Sequence, residues 1–335
     1  MEKVRIGIVG VGWVAQVIHL PILRKLPEAE VVAICDKDKA KVRLVGEKFG
    51  IKNQFTDLNQ MLAMEGLDAV IVCTSTNAHQ DVAVASLKAG KDVLVEKPIA
   101  RTYAEAEAIA AAARESKRKL MVGMNHRFRP DTMILKSFIE GKELGKIYYA
   151  RVGWLRKYDL DRAWLTQREK SGGGVFIDLG IVMLDMALWM LGYPQVVRLN
   201  AANYKNRTKQ VEDTSVVSLV LNTGATVNIE VSWSMCLDED VYYCYLHGAE
   251  GSASLSPLKI NKELHGNLVN LAPAKIDSGH QLFKRSYENE LKHFLGAVKD
   301  LHPVISTGEE AVQRMRVVDA VYRSAKKGKE VAVTP

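Results

Sequence analysis

A chain of 335 residues is long enough for two domains with large cores. With 47% apolar and 25% charged residues, its composition excludes a disordered or fibrous chain, and the lack of an 18-residue apolar run excludes an expected membrane span. The net charge of +7 raises nucleic acid as a partner, but the densest basic runs, 114–119 and 326–329, close predicted helices without interleaved aromatics. No nucleic-acid or membrane partner is expected.

The four cysteines (Cys35, Cys73, Cys236, Cys244) show no C-x-x-C spacing and read as small buried hydrophobes of a reducing compartment. The N-terminus enters a strand directly, without a signal-peptide layout, so a cytoplasmic location is expected. The eight histidines show no H-x-x-x-H or H-x-x-E-H pattern, and no metal site is expected.

The apolar strand at 4–9 leads into Gly10-Val11-Gly12-Trp13-Val14-Ala15, a G-x-G-x-x-A turn between strand and helix. Gly10 permits the tight turn, Gly12 lets a pyrophosphate approach the backbone, and Ala15 allows close helix packing, with the phosphates at the helix N-terminus. The next strand ends in Asp36, 24 residues after Gly12, where a carboxylate accepts from ribose hydroxyls and repels a 2′-phosphate. NAD is the expected cofactor; Lys37 and Lys39 leave NADP open. A buried strand at 67–73 then delivers Thr74, Ser75 and Thr76 to the cofactor side, followed by His79, a cofactor candidate that equally suits capping or packing.

The strand from Asp92 ends on Glu96-Lys97-Pro98. Ligands of open α/β sheets sit beyond the carboxyl ends of strands, so Lys97 is placed as a proton-transfer group and Pro98 as a strand terminator. By alternation Glu96 points away from Lys97, toward a structural or cofactor role. Thr102 to Glu105 forms a capping box for an alanine-rich helix, and a strand follows at 119–123. Repeated β-α units predict a doubly wound parallel sheet over residues 1–123.

From 124 to 335 the pattern changes. A polar junction carries Asn125, His126 and Arg127, and alternating strands near 146–156, 196–204, 214–221, 225–235 and 241–247 predict a large, mostly antiparallel sheet with one exposed face. Helices at 282–300 and 308–327 end the chain, the last with a Ser306–Glu309 capping box. Gly172-Gly173-Gly174 precedes a greasy helix in which Asp178, Val182 and Asp185 fall at i, i+4 and i+7, predicting one face. Buried carboxylates there need partners or a pocket.

Gly10-x-Gly12-x-x-Ala15, Glu96-Lys97-Pro98, the glycine run with Asp178 and Asp185, Glu212-Asp213 and Gly248-Ala249-Glu250-Gly251-Ser252 together resemble the Gfo/Idh/MocA family (glucose-fructose oxidoreductase, inositol dehydrogenase and rhizopine-catabolism proteins). The resemblance spans nearly the whole chain. It implies a Rossmann domain, then an α/β domain whose open sheet supports dimers or tetramers, and NAD(P)-linked redox chemistry on sugars or cyclitols. It also implies that Trp164 flanks the nicotinamide pocket. One position departs from the pattern: the family's acid/base histidine falls on Val182, which cannot exchange a proton.

These features predict an NAD(P)-dependent oxidoreductase in which Lys97 transfers the hydroxyl proton and Asp178 orients the substrate. Asn125, Arg127, Tyr158 and Val182 are the further substrate candidates, and His126, Tyr158 and Asp178 are those for the missing histidine's role. Residues 124–170 hold eleven Lys/Arg against six Asp/Glu, which suits an anionic sugar or simply a solvated face. A dinucleotide-binding sensor that lost its chemistry is the alternative.

Overall fold

Parallel pairing organises the first part of the chain. The structure, a computed structural model, describes residues 2–157 and 163–334. Strands β1 (Val4–Val9), β2 (Ala29–Cys35), β3 (Asn53–Phe55), β4 (Ala69–Val72), β5 (Asp92–Glu96) and β6 (Leu120–Gly123) lie in the order β3-β2-β1-β4-β5-β6. All five pairings are parallel. This is the doubly wound order that reverses direction between β1 and β4. Ala69 to Val72 and Val93 to Val95 are fully buried, as strands covered on both faces must be.

The helix Tyr103–Ser116 opens as expected, with Thr102 Oγ1 accepting from the Glu105 amide at 3.2 Å. Glu105 reaches back to the amide of Arg101 rather than to that of Thr102. The last helix, Gly308–Lys327, differs from its predicted start. Thr307 Oγ1 caps it, accepting from the Glu310 amide at 3.2 Å. Ser306 lies outside, at φ 67°, with its carbonyl accepting from the Val122 amide of β6.

That bond also explains the division of the chain. One unit comprises Met1–Asn125 with Tyr287–Val312, the other His126–Ser286 with Gln313–Pro335. The first unit thus takes back a return segment, residues 287–312, from beyond the change of pattern at 123/124. β6 is an edge strand whose amides need acceptors. The return segment supplies one at Ser306, bridges Met121 to Thr307, and pairs Lys119 Nζ with Asp300 at 2.8 Å.

The second unit is built on nine strands: β7 (Ile147–Lys157), β8 (Val196–Tyr204), β9 (Thr214–Leu221), β10 (Thr226–Met235), β11 (Val241–Gly248), β12 (Gly251–Leu255), β13 (Lys259–Leu264), β14 (Asn267–Asn270) and β15 (Val331–Ala332). Their order is β14-β13-β12-β11-β7-β10-β9-β8-β15. Only β7 and β10 pair in parallel. The strands β12 to β15 were not predicted; they are short and carry little alternation. Among the described residues one helical stretch, Arg168–Met190, is long and apolar enough to cross a membrane, but 89% of its apolar window is buried within the fold, as in a core helix.

Candidate active site

The first unit supplies a dinucleotide cradle. Gly10 has φ +86°, and a Cβ there would lie 2.6 Å from the Thr74 amide nitrogen, which is backbone and cannot swing aside. At Gly12 an added Cβ would meet nothing within 4 Å, so open space lies over the helix entrance where a pyrophosphate belongs. Ala15 is fully buried and opens the π-helical turn Ala15–His19. Trp13 is 58% exposed beside it, and Val14 is half-buried.

Asp36 is fixed at the end of β2. One oxygen accepts from the Val11 amide at 3.0 Å and the other from the Asp38 amide at 3.1 Å, while Lys41 Nζ lies 3.7 Å away. The acid that would read the ribose is thereby tied to the glycine turn itself. Lys37 is exposed at the strand end. Thr74 packs its backbone against Gly10, Ser75 Oγ donates to Asn77, and Thr76 is buried. These residues fit NAD.

Gly10→Ala is expected to weaken NAD binding by at least about tenfold, because a left-handed alanine costs roughly 1–2 kcal/mol before the clash with Thr74 is added. Isothermal titration with NAD measures this, and a parental Kd would show that the turn does not carry the cofactor.

Lys97 leaves the carboxyl end of β5, half-buried, and its peptide bond to Pro98 is cis. Glu96 holds a different kind of position. His19 Nε2 lies 2.7 Å from Glu96 Oε1, and Glu96 Oε2 accepts from the Lys97 amide at 3.3 Å. Burial alone would raise the Glu96 carboxyl. The hydrogen bond and charge of His19, with the charge of Lys97, outweigh burial and hold it below the usual carboxylate range.

His79 does not present itself as a cofactor group. It is buried, with Nδ1 2.9 Å from the Pro98 carbonyl and Nε2 3.1 Å from that of Thr74. Burial pushes its pKa down, against the pull of those carbonyls and of Glu96. Its ring joins the loop at Thr74 to that at Pro98. His19 was not singled out from sequence, because nothing local marks a histidine that meets Glu96 77 residues away.

In the second unit, Glu212 organises the start of the helix that follows the glycine run. Gly174 and Phe176 donate their amides to its carboxylate at 3.0–3.2 Å, Tyr322 donates its hydroxyl at 2.9 Å, and the Val175 amide donates to the Glu212 carbonyl at 2.9 Å. A Cβ at Gly173 would meet the Tyr322 hydroxyl at 1.9 Å and one at Gly174 the Glu212 carbonyl at 2.0 Å. The glycines thus serve close packing of a helix start onto a buried acid. Burial raises the Glu212 carboxyl more than these donors lower it.

Asp178 lies in the π-helical turn Phe176–Gly180, where one carboxylate oxygen accepts from Trp233 Nε1 at 3.1 Å. Trp233 thus meets Asp178 inside the π turn, whereas Asp185 meets a different set of groups further along the chain. Asp185, in the following α-helix Ile181–Met190, is buried in an ion cluster. Arg127 Nε donates to it at 2.8 Å and Arg127 NH2 at 2.6 Å, while Arg314 and the Tyr193 hydroxyl donate from other sides.

Arg127 is therefore not a substrate residue: it is 1% exposed, and a guanidinium at that depth requires a carboxylate partner. Val182 is 4% exposed in the same helix. Asn125 opens the short 3-10 turn Asn125–Phe128 and is buried. His126 Nδ1 lies 3.2 Å from the Tyr242 hydroxyl, with Trp154 against its ring. Trp164 is half-buried in the 3-10 turn Ala163–Thr166. Tyr158 lies outside the described residues. Within the basic stretch after 123, Arg129 pairs with Asp131 and Lys136 with Glu140, while Arg151 and Arg156 meet acids from outside it, Glu230 and Asp240.

Residues 4–124 match an oxidoreductase family described by its NAD-binding Rossmann fold, and residues 136–333 match that family's C-terminal alpha/beta domain. The chain is 30% identical over 353 aligned residues to D-glucoside 3-dehydrogenase of Escherichia coli (strain K12), covering 98% of this chain and 97% of that protein. Inositol 2-dehydrogenase of Rhizobium meliloti (strain 1021) is 25% identical over 347 residues, with 98% and 99% covered. Among solved structures, GenD2 from gentamicin A biosynthesis in complex with NAD matches at TM-score 0.86 and 26% identity, covering 100% of this chain and 97% of that one. Levoglucosan dehydrogenase, in complex with NADH and L-sorbose, shares the fold at TM-score 0.90 and 21% identity over the full length of both chains. With its glycine turn, its Asp36 anchor and both domain matches, the chain belongs to the Gfo/Idh/MocA oxidoreductase family and is an NAD-dependent enzyme.

Proposed function

We propose that this chain oxidises a secondary alcohol of a sugar or cyclitol, or reduces the corresponding ketone, with Lys97 as the proton-transfer group. The observation that carries this reading is the placement of Lys97 at the carboxyl end of β5, next to the switch point where a doubly wound sheet binds its ligand. The relatives named above act on a glucoside and an inositol, which supports the substrate class.

Bound NAD supplies the acceptor for the hydride of the alcohol carbon, and NADH the donor in reverse. In oxidation the neutral amine of Lys97 takes the hydroxyl proton; in reduction the ammonium returns it to the forming alkoxide. Asp178, fixed by Trp233, accepts a hydrogen bond from a substrate hydroxyl and so orients the sugar. Val182 contributes no proton, which leaves Lys97 to carry the transfer.

Nicotinamide absorbance at 340 nm over a panel of glucosides, inositols and aldoses, run in both directions, tests the reading. Turnover on at least one member is the expected result. Val182 favours a second reading, a dinucleotide-binding sensor, and tight NAD binding without redox change across the panel would select it.

A further inference from the structure

Two buried histidines bracket Lys97. Before it, His19 is 0% exposed at the end of the π turn that follows the glycine loop, and its Nε2 faces Glu96 Oε1 at 2.7 Å. The other Glu96 oxygen accepts the amide of Lys97 itself. After it, His79 Nδ1 meets the carbonyl of Pro98 at 2.9 Å. The backbone is tied on both sides of the residue whose amine must be aimed. We propose that His19 and His79 are positioning residues for proton transfer, His19 acting through Glu96 and His79 through the Pro98 carbonyl. The inference rests on the Lys97 reading above.

The chemistry of the contacts fixes who donates. An ionised Glu96 only accepts, so the proton in the 2.7 Å contact sits on His19 Nε2. A neutral His79 has one N–H, and we assign it to the contact with the Pro98 carbonyl, the one joined to the Lys97 turn. Room for the Glu96 carboxylate comes from Gly123, its partner in the β5–β6 register, where an added Cβ would sit 3.4 Å from Oε2. The groups around Glu96 are His19, Lys97, His79 and Cys73, with Tyr287 edge-on behind His19 and Glu290 near Cys73.

A lysine side chain has four rotatable bonds, so the aim of its amine depends on a fixed Cα–Cβ direction. Misplacing a reacting group by about 1 Å costs up to roughly a hundredfold in rate. Neither histidine is needed to fill space alone, since leucine would do that. Both place a donor on an atom joined to the Lys97 turn.

The test compares leucine and amide variants at each position. His19→Leu and His79→Leu should each lower kcat by roughly tenfold to a hundredfold, with the KM for NAD near parental; His19→Leu should also lower the melting temperature, because it takes a partner from the part-buried Glu96. In His19→Leu, burial of Glu96 loses its largest opposing group and only Lys97 and His79 remain against it, so its carboxyl titrates at higher pH and the acid limb of the kcat–pH profile moves upward. Glutamine at 19 reaches the place of Nε2 and asparagine at 79 that of Nδ1, and both should restore most of the rate.

Parental kcat and an unmoved pH profile in the leucine variants overturn the inference. Should a leucine variant fail to fold, the amides decide: asparagine at 19 falls short of Glu96 and glutamine at 79 overshoots Pro98, so equal kcat for the two amides at a position overturns its role. Lys97→Ala separates the two claims. Turnover in that variant sinks the Lys97 reading, whereas an inactive Lys97→Ala beside parental histidine variants sinks only this inference.

Discussion

Replacing Lys97 with alanine lowers kcat by about 10²- to 10⁴-fold, the usual contribution of a positioned acid–base group, while NAD affinity stays near parental. The two halves of that expectation have separate structural grounds. The cofactor cradle is made by Gly10, Gly12 and Asp36 on other strands, and Asp36 is anchored by the amides of Val11 and Asp38 without help from Lys97. The chemistry, by contrast, rests in the proposed reading on Lys97 at the end of β5, because the helix position expected to hold a histidine is Val182.

Arginine at 97 separates charge from proton transfer. A guanidinium keeps the positive charge but does not release its proton near neutrality, so Lys97→Arg should be as inactive as the alanine variant in alcohol oxidation. Steady-state kinetics and NAD titration on both variants check this. Substantial turnover in either would remove Lys97 from the chemical step, and loss of NAD binding in both would make it a cofactor residue instead.

The second large effect concerns stability. Asp185→Asn should destabilise the protein by about 3–5 kcal/mol, the usual result of leaving a buried charge without its partner. Arg127 and Arg314 are 1% and 0% exposed, and Asp185 is the carboxylate both of them meet. The asparagine amide matches the carboxylate in shape but not in charge, so the loss is electrostatic. Urea denaturation followed by tryptophan fluorescence measures it; a midpoint within error of the parent would show that the cluster is worth little.

The same cluster sets a pH dependence. Burial by itself would raise the Asp185 carboxyl, but the two guanidiniums and Tyr193 outweigh it and hold the acid below its ordinary range. A carboxylate whose folded pKa is depressed contributes its stability above the unfolded value and loses it as pH falls through the folded one. The parent should therefore lose stability on acidification below the normal carboxylate range, and Asp185→Asn should lose less of it.

Features that depend on near neighbours were legible from the amino acids alone. The strand, the glycine turn and the acid closing the next strand gave the Rossmann domain and its cofactor, because each is a local rule of backbone space or charge. The Glu96-Lys97-Pro98 strand end, the Thr102 cap and the alternating strands of the second unit were legible for the same reason. The capping of the last helix was misplaced by one residue, because Ser306 offers its carbonyl to β6 and leaves Thr307 at the helix start.

What only the tertiary structure decided are the partners of buried polar groups. Arg127 looked like a substrate residue until Asp185, 58 residues on, accepted from its Nε and NH2. His19 gave no local sign of meeting Glu96, and Gly173 and Gly174 gave none that Tyr322 and Glu212 would occupy the space their side chains would need. A side chain's type states what it must pair with once water is removed; which group answers is set by how distant segments are brought together, and spacing along the chain does not encode that.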